Sequence, residues 1–281
     1  MLKKLLNKYL KGSEKIIFTD CERSYLRSEF LKKVIFYKKK LDIEWKSNKK
    51  NRGIAIKISR TIDYFAIIFA SWLSNGYYVP LSKNISRKNF NIQIKKSLVS
   101  IVAVEKKNRI YFEKVNLHNQ KKFNDLSYII FTSGSTGDKK GVKISNKSFE
   151  SYIGSIKKKF SKNFNPKSLL INGEISFDIV NADIAFALIF DSEICVTKDT
   201  QNLFSFFEIL EKRKIESVYA VPSAWNAILY YAIAEKKDYS FIKYINSGGE
   251  ILNLQLYKKI KKIAPHSIVH NFYGPTEFTI N

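Results

Sequence analysis

Cysteine, acidic residues and unbroken apolar sequence are all scarce in this chain of 281 residues. Its two cysteines, Cys21 and Cys195, stand too far apart to suggest a metal knuckle or a CxxC redox pair, and so few thiols fit a reduced, cytosolic compartment. The apolar stretches 64–73 and 184–190 fall well short of a bilayer span. The opening MLKKLLNKYLKGSEK places Leu2, Leu5, Leu6, Tyr9 and Leu10 on one helical stripe. Lysines interrupt any secretory core there, which leaves a membrane-surface helix as an alternative reading. Acidic residues number 25 against 49 basic, a formal charge of +24. Two explanations compete: a nucleic-acid or membrane surface, or a general bias toward Lys, Asn and Ile spread over solvated faces. The second is favoured, because the lysines are scattered along the whole chain and accompany no nucleic-acid module. Runs such as Lys38–Lys40 and Lys157–Lys159 are then solvent-facing helix residues.

Internal repeats and low-complexity linkers are also absent, so the chain reads as globular, with 45% hydrophobic and 14% aromatic residues. β-Branched and aromatic runs at 15–19, 54–58, 100–104, 128–131, 168–171, 193–196, 217–221, 244–246 and 267–271 read as strands. Helical spacing marks 24–41, 63–75, 147–158, 203–214, 223–236 and 253–263. This alternation predicts an α/β fold of largely parallel, helix-covered sheets. The polar, turn-rich stretch 105–124 reads as an irregular connection between two sheet units, 1–125 and 126–281.

Residues 128–142 read YIIFTSGSTGDKKGV, a strand pattern that empties into Ser, Thr and Gly and closes on two lysines. Such a loop suits phosphate: glycines let backbone approach, hydroxyls and amides donate, and a lysine supplies a mobile charge. It is not GxxxxGK[ST], which would need glycine where Lys139 stands. A Gly/Ser linker is the bland alternative, but linkers rarely follow a buried-strand pattern.

The string resembles the signature loop of the adenylate-forming (AMP-binding) superfamily, and most closely the amino-acid adenylation domains of nonribosomal peptide synthetases. That pattern is [ST]SG[ST]TGxPKG. It is matched at Thr132, Ser133, Gly134, Ser135, Thr136, Gly137, Lys140 and Gly141, with Lys139 in place of proline. The resemblance extends over nearly the whole chain: Tyr25 and Glu29 fall in register near the N-terminus, and GYYVPL at 76–81 resembles the family's GxAYVPL. SFDIV resembles the family's FDxS string, whose Asp pairs with a substrate α-ammonium. This gives Asp178 a substrate role, against the plain reading of a helix cap; Val180 stands where the family has Ser. In NSGGE the resemblance gives Gly248, Gly249 and Glu250 an adenine contact. Ser223 of VPS reads as a helix cap. HNFYGPTEF resembles the NxYGPTE loop at Asn271, Tyr273, Gly274, Pro275, Thr276 and Glu277. It implies adenine stacking for Tyr273, an α-phosphate contact for Thr276, and Mg²⁺, a hard cation suited to carboxylate oxygen, for Glu277. His266 and His270 are spaced i, i+4 but lack a third ligand, so they read as exposed or hydrogen-bonded histidines.

The resemblance thus implies ATP and Mg²⁺, an amino acid or other carboxylate as substrate, and catalysis assisted by Lys140, Thr136 and Thr276. It also implies a carrier-protein partner. Family members continue beyond the last motif into a lid domain, so the chain is expected to be a truncated or split N-terminal adenylation domain, complemented by a separate C-terminal fragment. An acyl-CoA synthetase-like ligase, a non-catalytic nucleotide-binding remnant and a basic nucleic-acid-binding protein are the alternatives.

Overall fold

The computed structural model describes residues 1–47, 51–116, 123–133, 139–160, 164–197 and 202–280, with the side chains of Ser47 and Ser133 left aside. The chain runs α1 (Leu2–Leu10), β1 (Ile16–Thr19), β2 (Ser24–Leu26), α2 (Arg27–Ser47), β3 (Gly53–Lys57), α3 (Ile62–Leu73), β4 (Tyr77–Pro80), α4 (Arg87–Ser97), β5 (Ile101–Lys106), β6 (Arg109–Lys114), β7 (Leu126–Ser133) and β8 (Lys139–Ser145). It continues through α5 (Asn146–Phe160), β9 (Ser168–Ile171), α6 (Ile179–Phe190), β10 (Glu193–Val196), α7 (Leu203–Arg213), β11 (Ser217–Tyr219), α8 (Pro222–Ala234), β12 (Tyr244–Gly248), α9 (Leu254–Ile263), β13 (Ile268–Phe272) and a 3₁₀ turn, Thr276–Phe278.

Two mixed sheets result. One has the order β13-β12-β11-β9-β10-β1-β2 and is parallel except where β2 meets β1; the other has the order β6-β5-β3-β4-β7-β8, with antiparallel pairs at both edges. Period-two alternation explains why the central strands are apolar without interruption, since each strand feeds two cores. In β9, Leu169 and Ile171 face the core between the sheets, while Leu170 faces a second core under α7, α8 and α9. In β3, Ile54 and Ile56 face the shared core and Ala55 a third, under α4. Helices α3 and α6 lie in the shared layer and are buried nearly all round. A helix that is apolar on every face belongs in such a place.

Several sequence expectations are corrected here. The two sheets do not divide at residue 125: β1 and β2 join the sheet of β9–β13, and β7 and β8 join that of β3–β6. The segment 105–124 is not wholly irregular, because β5 and β6 pair across it from Ile101↔Lys114 to Lys106↔Arg109. Its residues 117–122 lie outside the described residues. The helix expected from residue 24 begins at Arg27, since Ser24–Leu26 pairs with β1. The apolar stripe of α1 faces the protein: Leu2, Leu6, Tyr9 and Leu10 are buried in the shared core. Among the described residues no helix is long and apolar enough to cross a membrane.

Candidate active site

Parallel strands of an α/β sheet leave a crevice beyond their carboxyl ends, where successive loops turn outward. The same geometry arises here past β9, β11, β12 and β13. A cavity of ≈ 440 Å³ is lined by Gly173 after β9, Val221 after β11, Gly249 after β12 and Gly274 after β13, and by Asp178 at the start of α6. The sequence motifs at 176–180, 246–250 and 270–278 are far apart in the chain, and the parallel topology brings them to one cavity.

Asp178 is the most informative group in it. It occupies the N-cap position of α6 yet makes no side-chain capping hydrogen bond. Its Oδ2 is buried and has no hydrogen-bond partner among the described residues. Burial pushes its carboxyl above the usual range; the Thr276 side chain and the amides of Asp178 and Ile179 oppose this, and the Glu277 charge adds to it. A buried carboxylate oxygen without a donor is costly, and a ligand cation would satisfy it. Val180, at the position of the family's serine, is 1% exposed in the shared core.

The GGE turn divides its labour. Gly249 has φ +83°, a conformation side chains rarely adopt, and it lines the cavity. Gly248 ends β12 so close to β13 that a Cβ would stand 2.6 Å from the Phe272 carbonyl oxygen. Glu250 lines the cavity, and its carboxylate accepts from the Ser223 amide at 2.8 Å and the Ser223 hydroxyl at 2.8 Å. Ser223 is therefore not the cap of α8. Val221 holds the N-cap position with Pro222 next, and Glu250 supplies the missing acceptor from another loop.

The YGPTE loop closes one side. Thr276 and Glu277 sit in the 3₁₀ turn, which packs against β8. Tyr273 is 91% exposed, so its ring is free to receive a flat ligand, and Asn271 lies exposed in β13. The strands that flank the Ser/Thr/Gly string form the β7–β8 hairpin, in which Thr132 pairs with Lys140 and Phe131 with Gly141. Lys140 is exposed. At Gly141 a Cβ would stand 3.1 Å from the Phe131 ring, so close packing of the hairpin already accounts for that glycine. Gly134, Ser135, Thr136 and Gly137 lie outside the described residues. His270 is hydrogen-bonded through Nδ1 to Asn246 at 2.9 Å, and its pKa is lowered by burial and by Lys159; His266 is exposed.

For magnesium the donor set is sparse. Glu277 offers an exposed carboxylate, and among the described residues no three acidic, His or Cys side chains converge. Mg²⁺ commonly takes one or two carboxylates and otherwise water and substrate phosphates, so this single carboxylate fits.

Sequence reasoning missed Tyr219 and Phe272 as cavity walls and Arg60 as the brace behind it. Arg60 donates to the carbonyls of Gly173, at 2.9 Å, and Ile171, holding the loop after β9. The residue signals were a lone arginine beside a helix start and aromatics at strand ends, which are indistinct without the fold.

Comparison with known proteins agrees with this geometry. Residues 103–281 match the family model described as AMP-binding enzyme. Gramicidin S synthase 2 of Brevibacillus brevis is 25% identical over 250 residues, covering 82% of this chain and 6% of that protein. The dapdiamide synthesis protein DdaD of Enterobacter agglomerans is 26% identical over 243 residues, covering 83% of this chain and 41% of that protein. The chain thus spans less than half the length of these relatives. Among solved structures, VinN in complex with L-aspartate superposes with a TM-score of 0.81 at 14% identity, over 99% of this chain and 76% of that one. The AMPPNP-bound form of the nonribosomal peptide synthetase FmoA3 gives 0.79 at 14%, over 97% and 31%. The match to the family model spans the TSGSTGDKKG string, Asp178, the GGE turn and the YGPTE loop, and by it the chain belongs to the AMP-binding enzyme family.

Proposed function

We propose that the site serves ATP-dependent activation of an amino acid: the substrate carboxylate attacks the α-phosphorus of ATP, pyrophosphate leaves, and an aminoacyl adenylate forms. The observation that carries this reading is the unpartnered buried oxygen of Asp178, a residue that lines the same cavity as the GGE turn and the start of the YGPTE loop. Opposite an α-ammonium it would make a charge-assisted hydrogen bond of about 1.5–3 kcal/mol, which a fatty acid cannot supply. The peptide synthetases among the relatives and the L-aspartate complex of VinN support the same substrate class. Adenine would lie along Gly248–Gly249 under Tyr273. Lys140, Thr136 and Thr276 would hold the phosphates in line and neutralise charge as it develops. Glu277 would hold magnesium, which, when bound, supplies electrostatic stabilisation of the phosphate oxygens.

Carrier-protein transfer of the acyl group, a C-terminal lid in a single or separate polypeptide, and a cytoplasmic location belong to the same proposal. The test is exchange of labelled pyrophosphate into ATP across a panel of amino and fatty acids, alongside calorimetric titration of Mg-ATP. Amino-acid-dependent exchange abolished by Asp178→Ala is expected. Exchange with a fatty acid and with no amino acid would favour an acyl-CoA synthetase-like ligase instead.

A further inference from the structure

Helix α2 is apolar on two opposite sides. Phe30, Val34, Tyr37, Leu41 and Trp45 are buried in the shared core. On the side turned away from them, Lys32, Ile35, Phe36, Lys39, Ile43 and Lys46 fall at i, i+3, i+4, i+7, i+11 and i+14 and make one outward stripe, about 21 Å long. Ile35 is 43% exposed, Phe36 51% and Ile43 69%. A single exposed apolar side chain is ordinary, but three on one line of one helix, with a lysine at each end and one between them, is a pattern that core packing does not require.

The charges of α2 are sorted with the same bias. Its three acids are each taken up by another cation: Glu29 by Arg23, Asp42 by Lys38 and Glu44 by Lys114. Lys33 and Lys38 pair with Asp63 and Asp42, whereas Lys32, Lys39, Lys40 and Lys46 enter no ion pair among the described residues. Lys40 instead holds its ammonium 4.4 Å from the centre of the Phe36 ring. Helix α1 packs beside α2 and turns Lys3, Lys4, Lys8 and Lys11 outward. None of these residues lines the Asp178 cavity.

We propose that the outward face of α2 is a docking surface for an anionic lipid bilayer. Ile35, Phe36 and Ile43 enter the boundary between headgroups and acyl chains, and Lys32, Lys39 and Lys46 lay their stems along the same stripe with their ammonium groups at the level of the lipid phosphates. Lys39 decides between this occupant and a protein groove. It stands in the middle of the apolar line, where a dry groove would have to bury its charge opposite a carboxylate, while a bilayer surface leaves it among phosphates and water. A nucleic-acid backbone accounts for the lysines but offers nothing to the three apolar side chains. The membrane-surface reading thus belongs to α2, whose second apolar stripe is exposed, and not to α1, whose stripe is spent on the core.

The experiment is sedimentation of the purified chain with vesicles of phosphatidylcholine alone and of phosphatidylcholine with about one third phosphatidylglycerol, at about 0.1 M salt. Binding to the anionic vesicles and not to the neutral ones is expected. Replacing Lys32, Lys39 and Lys46 together by Gln should weaken partitioning on the order of a hundredfold. Replacing Ile35, Phe36 and Ile43 together by Ser should weaken it by about tenfold or more. The same charge removed from α9, as Lys258→Gln, Lys259→Gln and Lys262→Gln, should change it by less than about threefold, since those lysines lie outside the contact. An equal loss in the α9 variant, or no loss in the Ser variant, overturns the proposal in favour of a general polyanion surface that nucleic acid fills as well. No sedimentation with anionic vesicles overturns it outright. Thermal melts check folding of the variants, and Phe36→Trp in the otherwise unaltered chain decides the matter should they unfold: its emission should shift to the blue with anionic vesicles only, and emission unchanged by them overturns the contact.

Discussion

A carboxyl kept above its ordinary range by burial answers to pH in a defined direction, and Asp178 is such a group. An α-ammonium binds its ionised form, so amino-acid affinity should fall about tenfold per pH unit below the raised pKa and hold steady above it until the α-ammonium itself loses its proton. Thr276 and Glu277 both face this carboxyl, the Thr276 side chain opposing the rise and the Glu277 charge adding to it. Titrating affinity against pH in wild type and Asp178→Asn checks the assignment: the variant should bind weakly at every pH, and an unchanged profile in the variant would move the dependence elsewhere. Asp183 makes a complementary stability prediction. Its folded pKa is raised, so the native state holds the proton more firmly than the unfolded chain, and stability falls as pH rises from the unfolded pKa through the folded one. Asp183→Asn keeps the shape and removes the ionisation, so the unliganded protein at neutral pH should gain on the order of 2 °C or more in Tm. A lower Tm in the variant at neutral pH would place the ionised carboxylate among the stabilising groups. Asp178 was legible in the sequence because it sits inside a recognisable string. Asp183 was not, because five residues into an apolar stretch nothing in the sequence tells which face it shares.

Elements whose pattern matches one solvated face and one buried face were the legible ones. Helices α7 and α9 begin where Asn202 and Asn253 cap them, accepting from Ser205 at 3.2 Å and Leu256 at 2.9 Å, and both carry the amphipathic spacing that marks a helix. Helix α6 was read only as an apolar stretch, because burial on every side erases periodicity. Strands β6 and β8 were hidden for the opposite reason: as edge strands they keep charged residues such as Arg109, Lys114 and Lys140 exposed. The sharing of strands between sheets was invisible because parallel pairing joins segments far apart, as β1 joins β10 through Phe18↔Ile194. At this scale Glu250 gives the clearest test. Its carboxylate satisfies the exposed start of α8, so Glu250→Ala should cost about 1 kcal/mol, measured by denaturant unfolding, besides any effect on nucleotide binding. Gly248→Ala should cost about 1–3 kcal/mol, because the new Cβ must push β13 away from β12. Equal stability of wild type and Gly248→Ala would mean the two strands separate more easily than their ladder implies.

A formal charge of +24 sets the behaviour of the molecule as a whole. Ion pairs such as Arg213–Glu193 at 2.7 Å and Lys243–Glu216 at 2.7 Å offset part of it, yet 25 acidic residues cannot pair with 49 basic ones. The excess lysines lie on exposed helix faces, as at Lys157–Lys159, and on edge strands, as at Lys114 and Lys140, and repel one another more in the compact state than in the expanded chain. Raising sodium chloride from about 0.1 M to about 1 M shortens the Debye length from about 10 Å to about 3 Å. Such screening weakens the surface pairs, each worth about 0–1 kcal/mol, but relieves the larger like-charge term. The Tm should therefore rise with chloride concentration, and a Tm that falls steadily across this range would show that the paired charges outweigh the repulsion. The same excess predicts loose binding of any polyanion at low salt. Single-stranded nucleic acid should associate at about 0.05 M salt and release by about 0.5 M, since each phosphate contact is lost with its counterions. Mg-ATP held by specific donors should outlast that change. Fluorescence anisotropy of a labelled oligonucleotide, run against Mg-ATP titrations at both salt concentrations, separates the two: nucleic-acid binding that persists at high salt and is blind to ATP would return the basic surface to the centre of this protein's function.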